Sequence, residues 1–314
     1  MSFQNLSAKN VSEFVILGFD TVEHKLPIGV VFLVVYVLAM LANTANICFV
    51  AMDKRLHQQP MYIFLCNLSL ADILYCSSTC PSMICNLIVG YKVISYIPCV
   101  LQMCGFHLGV VMEMFAITVM AMDRLIAISY PLRYHSILNT TRTVVIGVLL
   151  WMVASAILSI IPATVLPLPF CSSTIQYVFC EYASLVRATC VNPNPYFNMI
   201  STLTFVLLFG TFSFICLSYI KIVITVMRMT SKGDKKKMFN TCFTHLIVIV
   251  CFYAPMFVRI VLTRVGVVLT LEERNGLLIG SIVCPSLINP FIYCFRTKEI
   301  RKKIFKFVSK VAPE

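Results

Sequence analysis

Seven stretches of mostly apolar residues, each long enough to cross a bilayer, are separated along this chain by short polar or basic segments. They cover Leu26–Met52, Met61–Cys85, Cys99–Met122, Val144–Val165, Asn198–Ile220, Met238–Leu262 and Asn275–Phe295. A hydrocarbon core of roughly 30 Å takes about 20 helical residues, and a helix satisfies its own backbone hydrogen bonds where no water can do so. The pattern predicts an all-α membrane protein, a seven-transmembrane helix bundle forming a single domain. A polar tail occupies residues 1–25, the bundle residues 26–295 and a basic tail residues 296–314. In the last segment Ile300, Ile304, Phe305 and Phe307 are interspersed with Lys and Arg, which predicts a short amphipathic C-terminal helix lying on the inner leaflet. A merely basic tail is the plainer alternative.

An odd number of spans puts the chain ends on opposite faces. Basic residues collect on one face: Lys54, Arg55, Arg124, Arg133, Arg142, Lys221, Arg228, Lys232, Lys235, Lys236, Lys237 and the tail from Arg296 to Lys310. The other has only Lys9, Lys25, Lys92, Arg187, Arg259, Arg264 and Arg274. The positive-inside rule makes the C-terminal tail cytoplasmic and the N-terminus extracellular, as for a multi-pass plasma-membrane protein. The sequons at Asn5 and Asn10 fall on the outer tail, where glycosylation is possible; those at Asn67 and Asn139 fall in a span and on the inner side. Residues 1–25 show no basic start followed by an apolar core, so no cleaved signal is expected and the first span would insert itself.

Composition agrees. Hydrophobic residues make up 59% of the 314 and charged residues 12%, about half the charged share of a typical soluble domain. The formal charge of +12 lies between apolar runs and mostly on one side, which points to an anionic leaflet and cytoplasmic partners rather than to nucleic acid. Of the 15 cysteines, those within spans, such as Cys48, Cys66, Cys216, Cys251 and Cys294, read as small buried hydrophobes. Cysteines in the outer segments lie where an oxidising compartment permits bridges.

Charge inside a span is costly and needs a reason. Asp72 and Glu113 lie deep in the second and third spans, and two carboxylates at one depth repel unless a cation or a shared proton sits between them. With Asn43 and Asn289 they form either a site for sodium or a proton, acting as a switch, or a hydrogen-bonded packing network without an ion. Arg124, beside Asp123 at the inner end of the third span, either snorkels or exchanges an internal partner for an external one. His107 is either a packing residue or a ligand contact; His245 reads as structural, and Arg259 either snorkels or meets an anionic ligand. Pro255 and Pro290 remove backbone hydrogen bonds and should kink the sixth and seventh helices, giving a hinge.

The run Met120-Ala121-Met122-Asp123-Arg124-Leu125-Ile126-Ala127-Ile128-Ser129-Tyr130-Pro131-Leu132-Arg133-Tyr134 resembles the long third-helix signature of odorant receptors, within the rhodopsin-like (class A) G protein-coupled receptors. Further stretches resemble the same family: Pro60–Leu65 with Leu68–Asp72, Ser218–Ile222, Lys237–Leu246 and Pro285–Tyr293. Leu125 stands where the family usually has Tyr, Ala42 where it has Gly, and Leu56–Gln59 is one residue longer than usual. A few residues resemble those of fish-type members.

The resemblance implies bridges Cys99–Cys180 and Cys171–Cys190; arithmetic alone leaves three pairings open for four cysteines. It implies a small-molecule odorant held in the outer half of the bundle by Phe106, His107, Val110, Val111, Tyr253, Met256, Phe257 and Ile260. Phe106 stands where amine receptors carry Asp, which disfavours a simple cationic amine. It also implies a switch made of Asp123, Arg124, Asn289, Pro290 and Tyr293. Through it, outward movement of helix six would admit a heterotrimeric G protein of the stimulatory, cyclase-activating olfactory type. No cofactor is expected beyond sodium as an allosteric ion. The alternative is a non-olfactory rhodopsin-like receptor for a small molecule or peptide. A transporter would need internal repeats or a polar path, and an enzyme would need a catalytic motif, neither of which the sequence displays.

Overall fold

The computed structural model describes residues 11–264 and 270–296. Some side chains of the sixth and seventh helices lie outside that description, among them those of Arg259, Ile260, Pro290 and Tyr293. Asn5, Asn10 and the proposed amphipathic C-terminal helix also lie outside the described residues.

Seven long helices follow one another: α1 (Lys25–Met52), α2 (Pro60–Val89), α3 (Tyr96–Ser129), α4 (Thr140–Val165, jointed at Ser159), α5 (Asn194–Arg228), α6 (Lys232–Arg264) and α7 (Leu271–Arg296). The seven-helix expectation holds, but the helices outrun the apolar windows. α3 continues seven residues past Met122 and α5 eight past Ile220, because hydropathy marks where lipid ends and not where backbone hydrogen bonding stops. Local signals set several ends. Pro60 opens α2 at a position that needs no N–H donor, Asn139 Oδ1 accepts from the Arg142 N–H at the start of α4 (2.8 Å), and Gly90 closes α2 with φ of 75°.

By length and composition α1 to α5 can each cross a membrane, and α6 contains a shorter apolar stretch, Cys242–Val258. α7 is more polar, yet its Asn275, Ser281, Ser286 and Asn289 are all buried within the bundle. The packing is inside-out relative to a soluble protein. Leu33, Val34, Val37 and Leu41 of α1, Val148, Leu149 and Met152 of α4, and Phe205, Val206, Leu217 and Ile220 of α5 are all exposed, forming a surface that only lipid can cover. Cys48 and Cys216 lie on this exposed surface, and Cys66 and Cys251 are half-buried. The expectation that these cysteines are buried is therefore corrected for Cys48 and Cys216, which lipid shields instead of neighbours; the Cys294 side chain lies outside the described residues.

α3 is the central post. It packs closely on α2 because Gly105 and Gly109 face it; a Cβ at Gly109 would stand 2.8 Å from that of Tyr75.

The N-terminal tail is not a free tail. Its strand β1 (Glu13–Ile16) pairs antiparallel with β2 (Val93–Ser95) and parallel with β3 (Thr174–Ile175). This three-stranded sheet, in the order β2-β1-β3, roofs the end of the bundle that the charge pattern makes extracellular. Phe14 and Ile16 point inward and are buried, and the Phe14 ring meets Phe170 at 5.3 Å. Asn275 of α7 donates to the Gly18 carbonyl at 2.9 Å. A Cβ at Gly18 would lie 2.3 Å from the Tyr177 backbone carbon, too close for any side chain. Gly18→Val should therefore lift the segment off the roof. We expect a clear fall in surface abundance by antibody labelling and a lower unfolding midpoint in detergent; wild-type values for both would refute the account.

Candidate ligand cavity and switch

Beneath the roof lies a cavity of about 300 Å³, at the lower end of the usual range for small-molecule sites. α3 supplies Phe106, His107, Val110, Val111 and Met114, and α6 supplies Met256. α5 presents Ile200, Leu203, Thr204 and Leu207, a run with helical period that lies on one face. The loop between α4 and α5 adds Tyr177, Glu181, Tyr182 and Ala183, and α7 adds Arg274 and Leu278. Of the eight residues the resemblance implied for the ligand, Phe106, His107, Val110, Val111 and Met256 are in the wall.

Tyr253 and Phe257 are not in the wall and belong instead to the α5–α6 contact. The Tyr253 hydroxyl donates to Thr211 Oγ1 at 2.8 Å, and the Phe257 ring meets Phe212 at 4.9 Å and Phe209 at 5.3 Å. Ile260, with its side chain outside the description, is not placed. The α5 face, the loop residues and Arg274 were missed. The α5 face did carry a signal, since Ser201 and Thr204 are polar residues in a span and should turn away from lipid.

Two disulfides hold the loop: Cys99–Cys180, from α3, and Cys171–Cys190, within the loop. Gln102, one turn below Cys99, accepts from the Cys180 N–H (2.8 Å) and donates to Ser78 O (2.9 Å) and Ser82 Oγ (2.6 Å). It ties loop, α3 and α2 together, a role that no motif announced. The short helix Tyr182–Ala188 starts with a reciprocal cap between Glu181 and Ser184. Phe106 is held between the rings of Tyr75 (5.4 Å) and Phe179 (4.9 Å).

Midway through the bundle, Asn289 Nδ2 donates to Asp72 Oδ2 and to Glu113 Oε1, both at 3.2 Å. All three residues are buried. The opposite oxygens, Asp72 Oδ1, Glu113 Oε2 and Asn289 Oδ1, are enclosed without a hydrogen-bond partner. Asn43 stands a turn away, donating to the carbonyls of Ser286 (3.2 Å) and Ala39 (3.1 Å).

At the inner end, the Arg124 guanidinium is paired with Asp123, and the Tyr134 hydroxyl donates to the other Asp123 oxygen at 2.6 Å. Tyr134 lies in the short helix Tyr134–Ile137 that follows α3. Burial and the Asp123 charge push its phenol well above the ordinary value, so it stays a donor throughout the physiological range. Nearby, Tyr219 of α5 bonds His245 Nδ1 of α6 at 2.8 Å, the structural role expected of that histidine. Pro290 and Tyr293 fall in α7, with their side chains outside the description.

A roofed apolar cavity at one end of seven spanning helices, a buried polar core at mid-depth and a paired arginine at the other end define a transmembrane receptor of the rhodopsin-like class. Residues 32–311 match the family model for olfactory receptors. Human olfactory receptor 10G4 is 34% identical over 285 residues, covering 90% of each chain. The dog olfactory receptor-like protein OLF3 is 34% identical over 294 residues, covering 93% of this chain and 92% of its own. Human olfactory receptor 2AT4 is 31% identical over 311 residues, covering 98% and 96%. The chain belongs to the olfactory receptor family of class A G protein-coupled receptors. It is a membrane receptor and not an enzyme.

Proposed function

We propose that a small odorant occupies the roofed cavity and shifts the bundle toward a state that admits a stimulatory, cyclase-activating G protein at the inner end. The observation that carries this reading is the placement of the cavity. It touches α3, α5, α6 and α7 at once, so a ligand there can favour one arrangement of these helices over another. Met256 directly follows Pro255 within α6, where the proline-weakened backbone lets the inner half swing. Such a swing separates Tyr219 from His245 and frees Arg124 from Asp123. The receptor resides in the plasma membrane as one domain, N-terminus outside, with Asn5 and Asn10 as glycan acceptors.

The test is a cyclic-AMP reporter screen of a chemically diverse odorant panel in cells displaying the chain. Silence across all classes at normal surface abundance would sink the reading. Within the panel, His107→Ala should reorder ligand potencies by about tenfold for those that reach it, the scale of one lost polar contact. An unchanged order would remove His107 from the site.

The polar core also fits sodium. One oxygen each of Asp72, Glu113 and Asn289 lacks a hydrogen-bond partner, and the shared Asn289 amide brings the two carboxyl groups to one place. A sodium ion there would neutralise the paired carboxylates and hold α2, α3 and α7 together. Replacing sodium by a bulky organic cation should then lower the unfolding midpoint of the purified receptor, and Asp72→Asn should erase the difference. Equal midpoints with both cations would leave the core a packing network alone.

A further inference from the structure

We propose that the odorant is a carboxylic acid with an apolar tail, its carboxylate held by Arg274. This rests on the reading of the cavity as the odorant site and adds the chemical class of the occupant.

Arg274 lies in the first turns of α7 and in the cavity wall. Its guanidinium lies over the ring of Tyr177, 4.1 Å from the centroid, and Tyr177 is itself buried. Its Nε is enclosed and has no hydrogen-bond acceptor, and no carboxylate among the described residues pairs with it. An arginine that merely snorkelled to the interface would keep its nitrogens in water. Here the side chain is half-buried and its Nε is shut off from water. A guanidinium offers a planar fork of donors and no acceptor, and the ring face of Tyr177 satisfies its charge only in part. The group that completes it is a planar anion with two acceptor oxygens, which the fork grips in bidentate fashion.

Two features narrow the choice. The other charged group of the wall, Glu181, caps the helix Tyr182–Ala188 by accepting from the Ser184 backbone N–H. Elsewhere the wall is mainly apolar, with Leu278, Val110, Met114 and Leu207 in it and His107, Ser201 and Thr204 as polar exceptions. That lining, cationic at one end and mainly hydrocarbon elsewhere, matches a fatty-acid-like molecule.

The experiment uses the full chain in reporter cells, challenged with straight-chain carboxylic acids from butanoic to decanoic and with the matching alcohols, methyl esters and amines. The best acid should act at a concentration at least about tenfold below its alcohol and ester, the gain expected of a charge-assisted pair in a desolvated site. Arg274→Gln should erase that advantage, read as the ratio of acid to alcohol potency at equal surface abundance. Arg274→Lys, which keeps charge but loses the fork, should retain a reduced advantage and serves if the glutamine variant fails to reach the surface. An alcohol, ester or amine as potent as the acid in the unmodified chain overturns the inference without any variant, as does an undiminished acid preference in Arg274→Gln. Responses to neutral odorants alone would defeat this inference and keep the cavity as an odorant site; silence to every class would defeat both.

Discussion

Asn289→Leu is expected to destabilise the receptor by about 2 kcal/mol, the cost of leaving buried polar groups without their hydrogen-bond donor. The reason lies in a single amide. Asn289 Nδ2 is shared between Asp72 and Glu113 at 3.2 Å each, three helices meeting at one donor. Leucine fits the space but supplies no N–H, so two carboxylates would face each other at lipid depth. The unfolding midpoint in detergent should drop sharply and surface display should fall with it. Combining the change with Asp72→Asn should recover much of the loss, since one amide is restored and one carboxylate removed. A single variant as stable as the original chain would show that the polar core carries little of the packing.

Arg124→Ala is expected to reduce the odorant response to background in receptors counted at the cell surface. In this structure Arg124 is spoken for: Asp123 pairs with it, and Tyr134 holds Asp123 from the other side. An arginine so held is withheld from a partner protein, and when released it offers a fork for main-chain carbonyls. Alanine has nothing to release. The converse variant, Asp123→Asn, weakens the grip without removing the arginine and should raise signalling in the absence of ligand. A full response from Arg124→Ala, with normal surface counts, would refute the switch.

The sequence was most legible where physics acts in one dimension. Apolar runs of spanning length, and basic residues piled at one side of them, announce seven helices directly. Asp72, Glu113 and Asn289 were also readable, since polar atoms at lipid depth must find one another. What escaped was set by distant pairing. Glu13–Ile16 is four residues long and becomes a strand only because Val93–Ser95 and Thr174–Ile175 flank it. Arg274 looked like one more outer charge until its guanidinium was seen over the Tyr177 ring with Nε enclosed. Tyr253 and Phe257 share a helix with Met256 but face α5, a difference in azimuth that residue type alone does not disclose.

The woven roof has a consequence for how the receptor is made. β1 is among the first segments to leave the ribosome, yet its parallel neighbour β3 emerges only after four spans have been threaded through the translocon, and the Asn275–Gly18 bond joins residues 257 positions apart. The earliest-synthesised edge is therefore among the last to be closed. Until β3 arrives that edge and the apolar side of Phe14 stay open to chaperones in the lumen, and until the seventh helix arrives Gly18 lacks its Asn275 bond, so a defect along the bundle is displayed at one place where quality control can read it.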